Sequence, residues 1–163
     1  MSDQRLLVVP PGSVADHTVP DTVTVATVTN MRDCWTSARP EHRAVHDALP
    51  DISARARTVA RDLGGAMHPA VRGPEFWEIF HPLFAIFSIA PALATHRVLE
   101  TALEGADISS ATVRENPATA SWWTGSQYFE PVAREILRTE GIPCSTMPGA
   151  LVRWIRSTVL PAA

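Results

Sequence analysis

Lysine is absent from the chain; all 14 basic residues are arginine. That excludes Schiff-base chemistry, attachment of a pyridoxal cofactor and a lysine-bearing phosphate loop. Strong charge of one sign is missing too. The formal net charge is −3 and charged residues make up 19% of the chain, so no basic surface argues for a nucleic-acid partner. Cysteine is scarce. Cys34 and Cys144 stand far apart in no ligand spacing, which reads as two reduced, mostly buried thiols rather than a disulfide framework. The most apolar run, residues 83–94, contains Pro91 and is too short to span a bilayer. It reads as a core helix, with no membrane insertion expected. The opening MSDQRLLVVPPG has no long apolar signal region and no typical cleavage site, so a cytoplasmic location is expected. The Arg, Ala, Val and Thr bias suggests a GC-rich bacterial source.

What is present is enough for a core. With 163 residues and 45% apolar content, the chain reads as a single domain over residues 1–163. Residues 6–9 form a short apolar run closed by Pro10, Pro11 and Gly12, a buried strand and a turn. Residues 22–28 alternate Thr and Val, and their β-branching makes them a second strand. The link between them, residues 13–21, is too short and polar for an ordinary crossover helix. How the two strands pair is left open.

Residues 41–49 suit a short helix stopped by Pro50. His42 and His46 lie four apart on it, the spacing of a two-histidine metal site. No Glu follows His42 and no third ligand is near in sequence, so a solvated helical face is the better account, and no metal or other cofactor is expected. A clearer helix starts at Asp51, with Ile52, Ala56, Val59 and Leu63 as its apolar stripe and Gly64-Gly65 as its expected end. Arg55, Arg57 and Arg61 lie largely off that stripe. They could meet an anion, but a solvated charged face needs no ligand to explain it.

Residues 74–104 carry the largest apolar mass. Phe80, Phe84 and Phe87 are expected to be buried, and Pro82 and Pro91 to kink or divide the segment. From residue 92 the pattern relaxes to the stripe Leu93, Val98, Leu99, Ala102 and Leu103. His81 and His96 read as packed or partly exposed. A strand follows at residues 108–113, closed by Glu115, Asn116 and Pro117. After Trp122 and Trp123, the stretch from Thr124 to Gln127 has capping-box spacing. A four-residue repeat of apolar pairs then runs to Gly141. Residues 142–147 are a last strand candidate, and residues 148–161 a terminal or linker helix.

This alternation predicts a three-layer, Rossmann-like α/β domain with a small, mostly parallel sheet and helices on both faces. Such sheets bind ligands beyond the carboxyl ends of their strands. That edge would receive residues 115–126, with Glu115, Asn116, the indoles of Trp122 and Trp123 and the hydroxyls of Thr124 and Ser126. Free N–H groups at the next helix start favour an anion or a sugar phosphate, and tryptophan faces stack on sugar rings or bases. In the competing account the two Trp only lid the core, and Thr124 and Ser126 only cap.

The order FWEIFHPLFAIF, LETALEGADISSATVREN, WWTGSQYFEPVAREILRTEGIPC resembles the N-terminal half of bacterial GT-B-type glycosyltransferases. The likeness is one of pattern, over roughly the last ninety residues. It implies a Rossmann-like half that holds a sugar, glycoside or other small acceptor. That family's nucleotide-sugar site lies mainly in a C-terminal half that this chain is too short to contain, and residues 148–161 would lead toward it. Enzymatic activity would then need that second half or a partner chain. In this reading Glu115 is the candidate general base, Trp122 and Trp123 a stacking platform, and Asn116, Thr124 and Ser126 polar contacts. A second reading is a non-catalytic binding or assembly module whose apolar helical face, residues 76–89, packs on a partner chain or a second copy. Metal-dependent hydrolysis through His42 and His46 is a distant third.

Overall fold

The computed structural model describes residues 4–9, 21–26, 39–71, 80–114 and 129–147. Four strands form one sheet: β1 (Gln4–Val9), β2 (Thr22–Ala26), β3 (Ile108–Arg114) and β4 (Cys144–Met147). Their order is β2-β1-β3-β4, and every pairing is parallel. The pairing left open by the sequence, β1 with β2, is thus parallel, with Leu6 opposite Val23 and Val8 opposite Val25. The fold is α/β, of the three-layer Rossmann-like class.

Alternation along the strands separates two chemistries. On one face Leu6, Val8, Val25, Ala111 and Val113 are buried in the core. On the other, register brings together Arg5 with Thr22 and Ser110, and Leu7 with Thr24 and Thr112. There Thr112 Oγ1 lies 3.0 Å from Ser145 Oγ. A register shift beside Gln4 marks a local irregularity, and there the Ser109 hydroxyl donates to the Gln4 carbonyl at 3.2 Å.

Four helices accompany the sheet among the described residues. They are α1 (Pro40–Asp47), α2 (Leu49–Val71), α3 (Phe80–Leu103) and α4 (Phe129–Thr139). The chain moves from β2 to β3, then from β3 to β4, in the same direction across the sheet. Right-handed crossovers put both sets of helices on one face, and α3 packs against α4, α1 and β2 accordingly. Ala94, Val98, Leu99, Phe129, Ala133 and Leu137 meet the strand core there. The step from β1 to β2 runs the other way; residues 10–20 lie outside the described residues.

Three helix boundaries differ from expectation. Pro50 does not stop a helix; it sits in the first turn of α2, where a missing N–H costs nothing. Gly64 and Gly65 do not end α2, which continues to Val71. A glycine terminates a helix when it takes a positive φ, and among the described residues only Gly105 and Gly141 do so, both at 72°. Gly141 closes α4 as a Schellman turn: its N–H reaches the Arg138 carbonyl at 3.1 Å, and Ile142 N–H reaches that of Leu137 at 2.9 Å.

Pro91 does not divide α3. Residues Ala85–Ile89 form a π turn, and Ala90 N–H bonds to the Ala85 carbonyl. The widened turn absorbs a residue that cannot donate a hydrogen bond and whose ring crowds the preceding turn. As a result α3 runs 24 residues, and it is long and apolar enough to cross a membrane by length and composition. The core helix of a soluble protein passes the same test. The second half of α3 is such a core element: Ala94, Val98 and Leu99 have 0% exposure.

The first half of α3 corrects another expectation. Phe80, Phe84 and Phe87 are half-buried rather than buried. Phe80 and Phe84 stack with ring centroids 6.2 Å apart, while Leu83 is 44% and Ile86 59% exposed. This half packs on α2 and not on the sheet, so one side of it has no described neighbour to cover it. Trp77 and residues 148–161 lie outside the described residues, as does Cys34; Cys144 is a free, half-buried thiol.

Candidate functional site

The four strands end in one aligned row. Val9 pairs with Ala26, and Arg114 pairs with Met147. Val8 pairs with Val113, so the next residues, Val9 and Arg114, face each other across the central seam. The chain leaves β1 toward β2 and leaves β3 toward β4, in opposite directions. This divergence makes the carboxyl ends of β1 and β3 the topological switch point, the place where open parallel α/β sheets receive ligands.

Arg114 is the charged group at that seam. Its neighbours in sequence, Ala111 and Val113, face the core, so alternation puts Arg114 on the polar face beside Thr112. The side chain is half-buried, and its Nε is shielded from solvent with no hydrogen-bond partner. No carboxylate among the described residues pairs with it. Sequence reasoning passed over Arg114; the available signal was a charged residue closing an apolar strand immediately before the turn residues Glu115, Asn116 and Pro117.

The expected site residues Glu115, Asn116, Trp122, Trp123, Thr124 and Ser126 lie outside the described residues. Their flanks are described. Arg114 is the last residue of β3, and α4 starts at Phe129, which is buried against the core.

Several other charged groups pair with one another. His42 and His46 do not share a solvated face: His42 is 7% exposed, whereas His46 is exposed, with Nδ1 3.3 Å from Asp47 Oδ1. Among the described residues no group of three His, Cys, Asp or Glu side chains could hold a metal ion. Arg55, Arg57 and Arg61 are exposed. Arg55 borders a cleft of about 180 Å³ with Asp51, His96, Arg97 and Glu100. There the hydrogen bond from Arg97 to Glu100, 2.7 Å long, raises the Arg97 pKa.

A larger open groove, about 610 Å³, runs between α4 and the edge strand β4, lined by Arg134, Glu135, Arg138, Ile142 and Cys144. Its ions are paired too. Arg138 donates two hydrogen bonds to Glu135, at 2.9 and 2.6 Å, and Arg134 lies 3.7 Å from Glu130. Burial pushes the Cys144 thiol above its ordinary pKa, against the opposing effect of Arg134. Among the half-buried arginines of the described residues, Arg39 and Arg97 each have a carboxylate partner and Arg114 has none. No protein-family model, curated protein or solved structure matches the chain.

Proposed function

We propose that the chain is a small-molecule-binding Rossmann-like domain that holds a sugar, glycoside or similar acceptor at the carboxyl ends of β1 and β3. It would be a cytoplasmic, glycosyltransferase-type acceptor half that works with a donor-binding half on another chain or segment. The observation that carries the reading is the all-parallel order β2-β1-β3-β4, whose switch point lies between β1 and β3. Glu115, one residue beyond β3, is the group proposed to take a proton from the acceptor hydroxyl. Trp122 and Trp123 are proposed to supply the stacking surface, with Asn116, Thr124 and Ser126 as polar contacts. A thermal-shift screen of glycosides and nucleotide sugars tests this, because ligands that bind only the folded state raise the melting temperature. Stabilisation by glycosides supports the reading; a flat response across both sets removes it.

A second reading has its own support. Leu63, Leu83 and Ile86 are the exposed large apolar side chains among the described residues, and α2 and the first half of α3 pack together. An assembly module would use that surface against a second copy or a partner chain. Sedimentation of the wild type beside Ile86→Asp separates the readings: only an assembly surface makes wild-type mass exceed that of the variant.

A further inference from the structure

We propose that the outer edge of β4 pairs antiparallel with the same edge of a second copy of this chain, joining two four-stranded sheets into one. The inference does not rest on the acceptor reading, so either can fail without the other.

The two edges of the sheet differ. β2 and β4 are its outer strands, and an open strand edge is a template for pairing unless something blocks it. In a parallel ladder, alternate residues turn both of their peptide groups toward one neighbour. Arg5 N–H bonds to the Asp21 carbonyl at 2.8 Å, so Thr22 and Thr24 turn theirs outward. The Thr24 carbonyl is covered, because Arg39 Nη1 donates to it at 3.4 Å. On the opposite side, Ala111 N–H bonds to the Pro143 carbonyl at 2.8 Å. Pro143, Ser145 and Met147 therefore face β3, while Cys144 and Thr146 turn their N–H and carbonyl groups outward. No described residue bonds to those four groups. The groove of about 610 Å³ between α4 and β4 lies beside them.

A second copy fits this edge better than an extended peptide does. Pro148 follows Met147 in sequence and has no N–H, so the outward ladder is only two residues long. A twofold axis at Ser145 sets Cys144 of each copy opposite Thr146 of the other, and all four groups bond reciprocally. With the axis perpendicular to the sheet, the helices of both copies stay on one face. The α4 stripe Pro131, Arg134, Glu135 and Arg138 then faces its own copy across the groove. A twofold contact needs a self-complementary patch, and this stripe carries both signs of charge. A peptide strand would gain the short ladder without that second contact.

The competing account is that a four-residue edge between Pro143 and Pro148 is too short to pair. Thr146→Pro separates the two. It removes an outward N–H and no bond to β3, and proline is tolerated on an edge strand. Sedimentation of the full chain should give a mass approaching twice 17.7 kDa. Thr146→Pro should weaken the association by about tenfold or more, the effect of losing reciprocal hydrogen bonds. Its melting temperature should stay close to that of the wild type. Ser145→Cys, in a chain also carrying Cys34→Ser and Cys144→Ser, gives a second readout. At the axis the two Cα atoms would stand about 4.5 Å apart as a non-hydrogen-bonded pair, within disulfide reach. Mild oxidation should yield a covalent dimer from Ser145→Cys and not from Ser109→Cys, which is exposed on β3.

A wild type that stays monomeric up to about 0.1 mM overturns the inference. So does a dimer that ignores Thr146→Pro and is lost in Ile86→Asp, which moves the contact to the α2/α3 surface. If Thr146→Pro fails to fold, the disulfide decides: Ser145→Cys that cross-links no faster than Ser109→Cys overturns the inference, and selective cross-linking upholds it.

Discussion

Leu99→Ala tests how α3 is used. Leu99 has no exposed surface and belongs to the cluster joining α3 to Val8, Val25, Ala133 and Leu137. The substitution removes three carbons, about 2.4 kcal/mol at roughly 0.8 kcal/mol for each buried group. A residual cavity of about 50 Å³ would add roughly 1.2 kcal/mol at about 24 cal/mol per Å³. The expected loss is therefore about 3–4 kcal/mol. Ile86→Ala, on the same helix but 59% exposed, should change stability by less than about 0.5 kcal/mol. Urea denaturation followed by circular dichroism reads both. With a slope of about 2 kcal/mol per M, Leu99→Ala should move the midpoint by roughly 1.5–2 M, with the slope unchanged. A Leu99→Ala loss below about 1 kcal/mol, or a larger loss for Ile86→Ala, would refute the division of α3 into a core half and an exposed half.

Gly141→Ala should cost about 1 kcal/mol, read by the same denaturation. An added Cβ meets nothing within 4 Å, so only the positive φ of 72° is penalised. Cys144 should react with iodoacetamide at pH 8 more slowly than a free cysteine, measured by mass spectrometry in a Cys34→Ser background. The sign follows from its raised pKa, which lowers the thiolate fraction at that pH. Ligand binding should quench tryptophan fluorescence, and either Trp122→Ala or Trp123→Ala should abolish the quench while leaving the melting temperature nearly unchanged. If both variants only unfold the protein, the pair is core.

The strands were legible because their signals are local. Thr22, Val23, Thr24 and Val25 are β-branched, the β1 run is closed by Pro10 and Pro11, and β3 lies between Gly105 and Pro117. The parallel pairing of β1 with β2 was not legible, because pairing is decided by contacts distant in sequence and not by propensity. Gly64 misled for a related reason. As a local signal it ends a helix, yet it is buried in the long helix α2, where tertiary packing overrides the propensity of one residue. Pro91 misled because a π turn absorbs it. Of the site, the carboxyl edge followed from the alternation of strands and helices, while Arg114, one of 14 arginines, needed burial and hydrogen bonding to stand out.

Amide chemical-shift mapping of the ¹⁵N-labelled full chain, titrated with the ligand that stabilises it most, tests the location of the site. The account predicts that the largest shifts fall at Val8, Val9, Val113 and Arg114, with little change at the opposite ends of the same strands, near Gln4 and Ile108. Largest shifts at Arg134, Arg138 and Cys144, or along Leu83 and Ile86, with the β1 and β3 carboxyl ends unmoved, would contradict it.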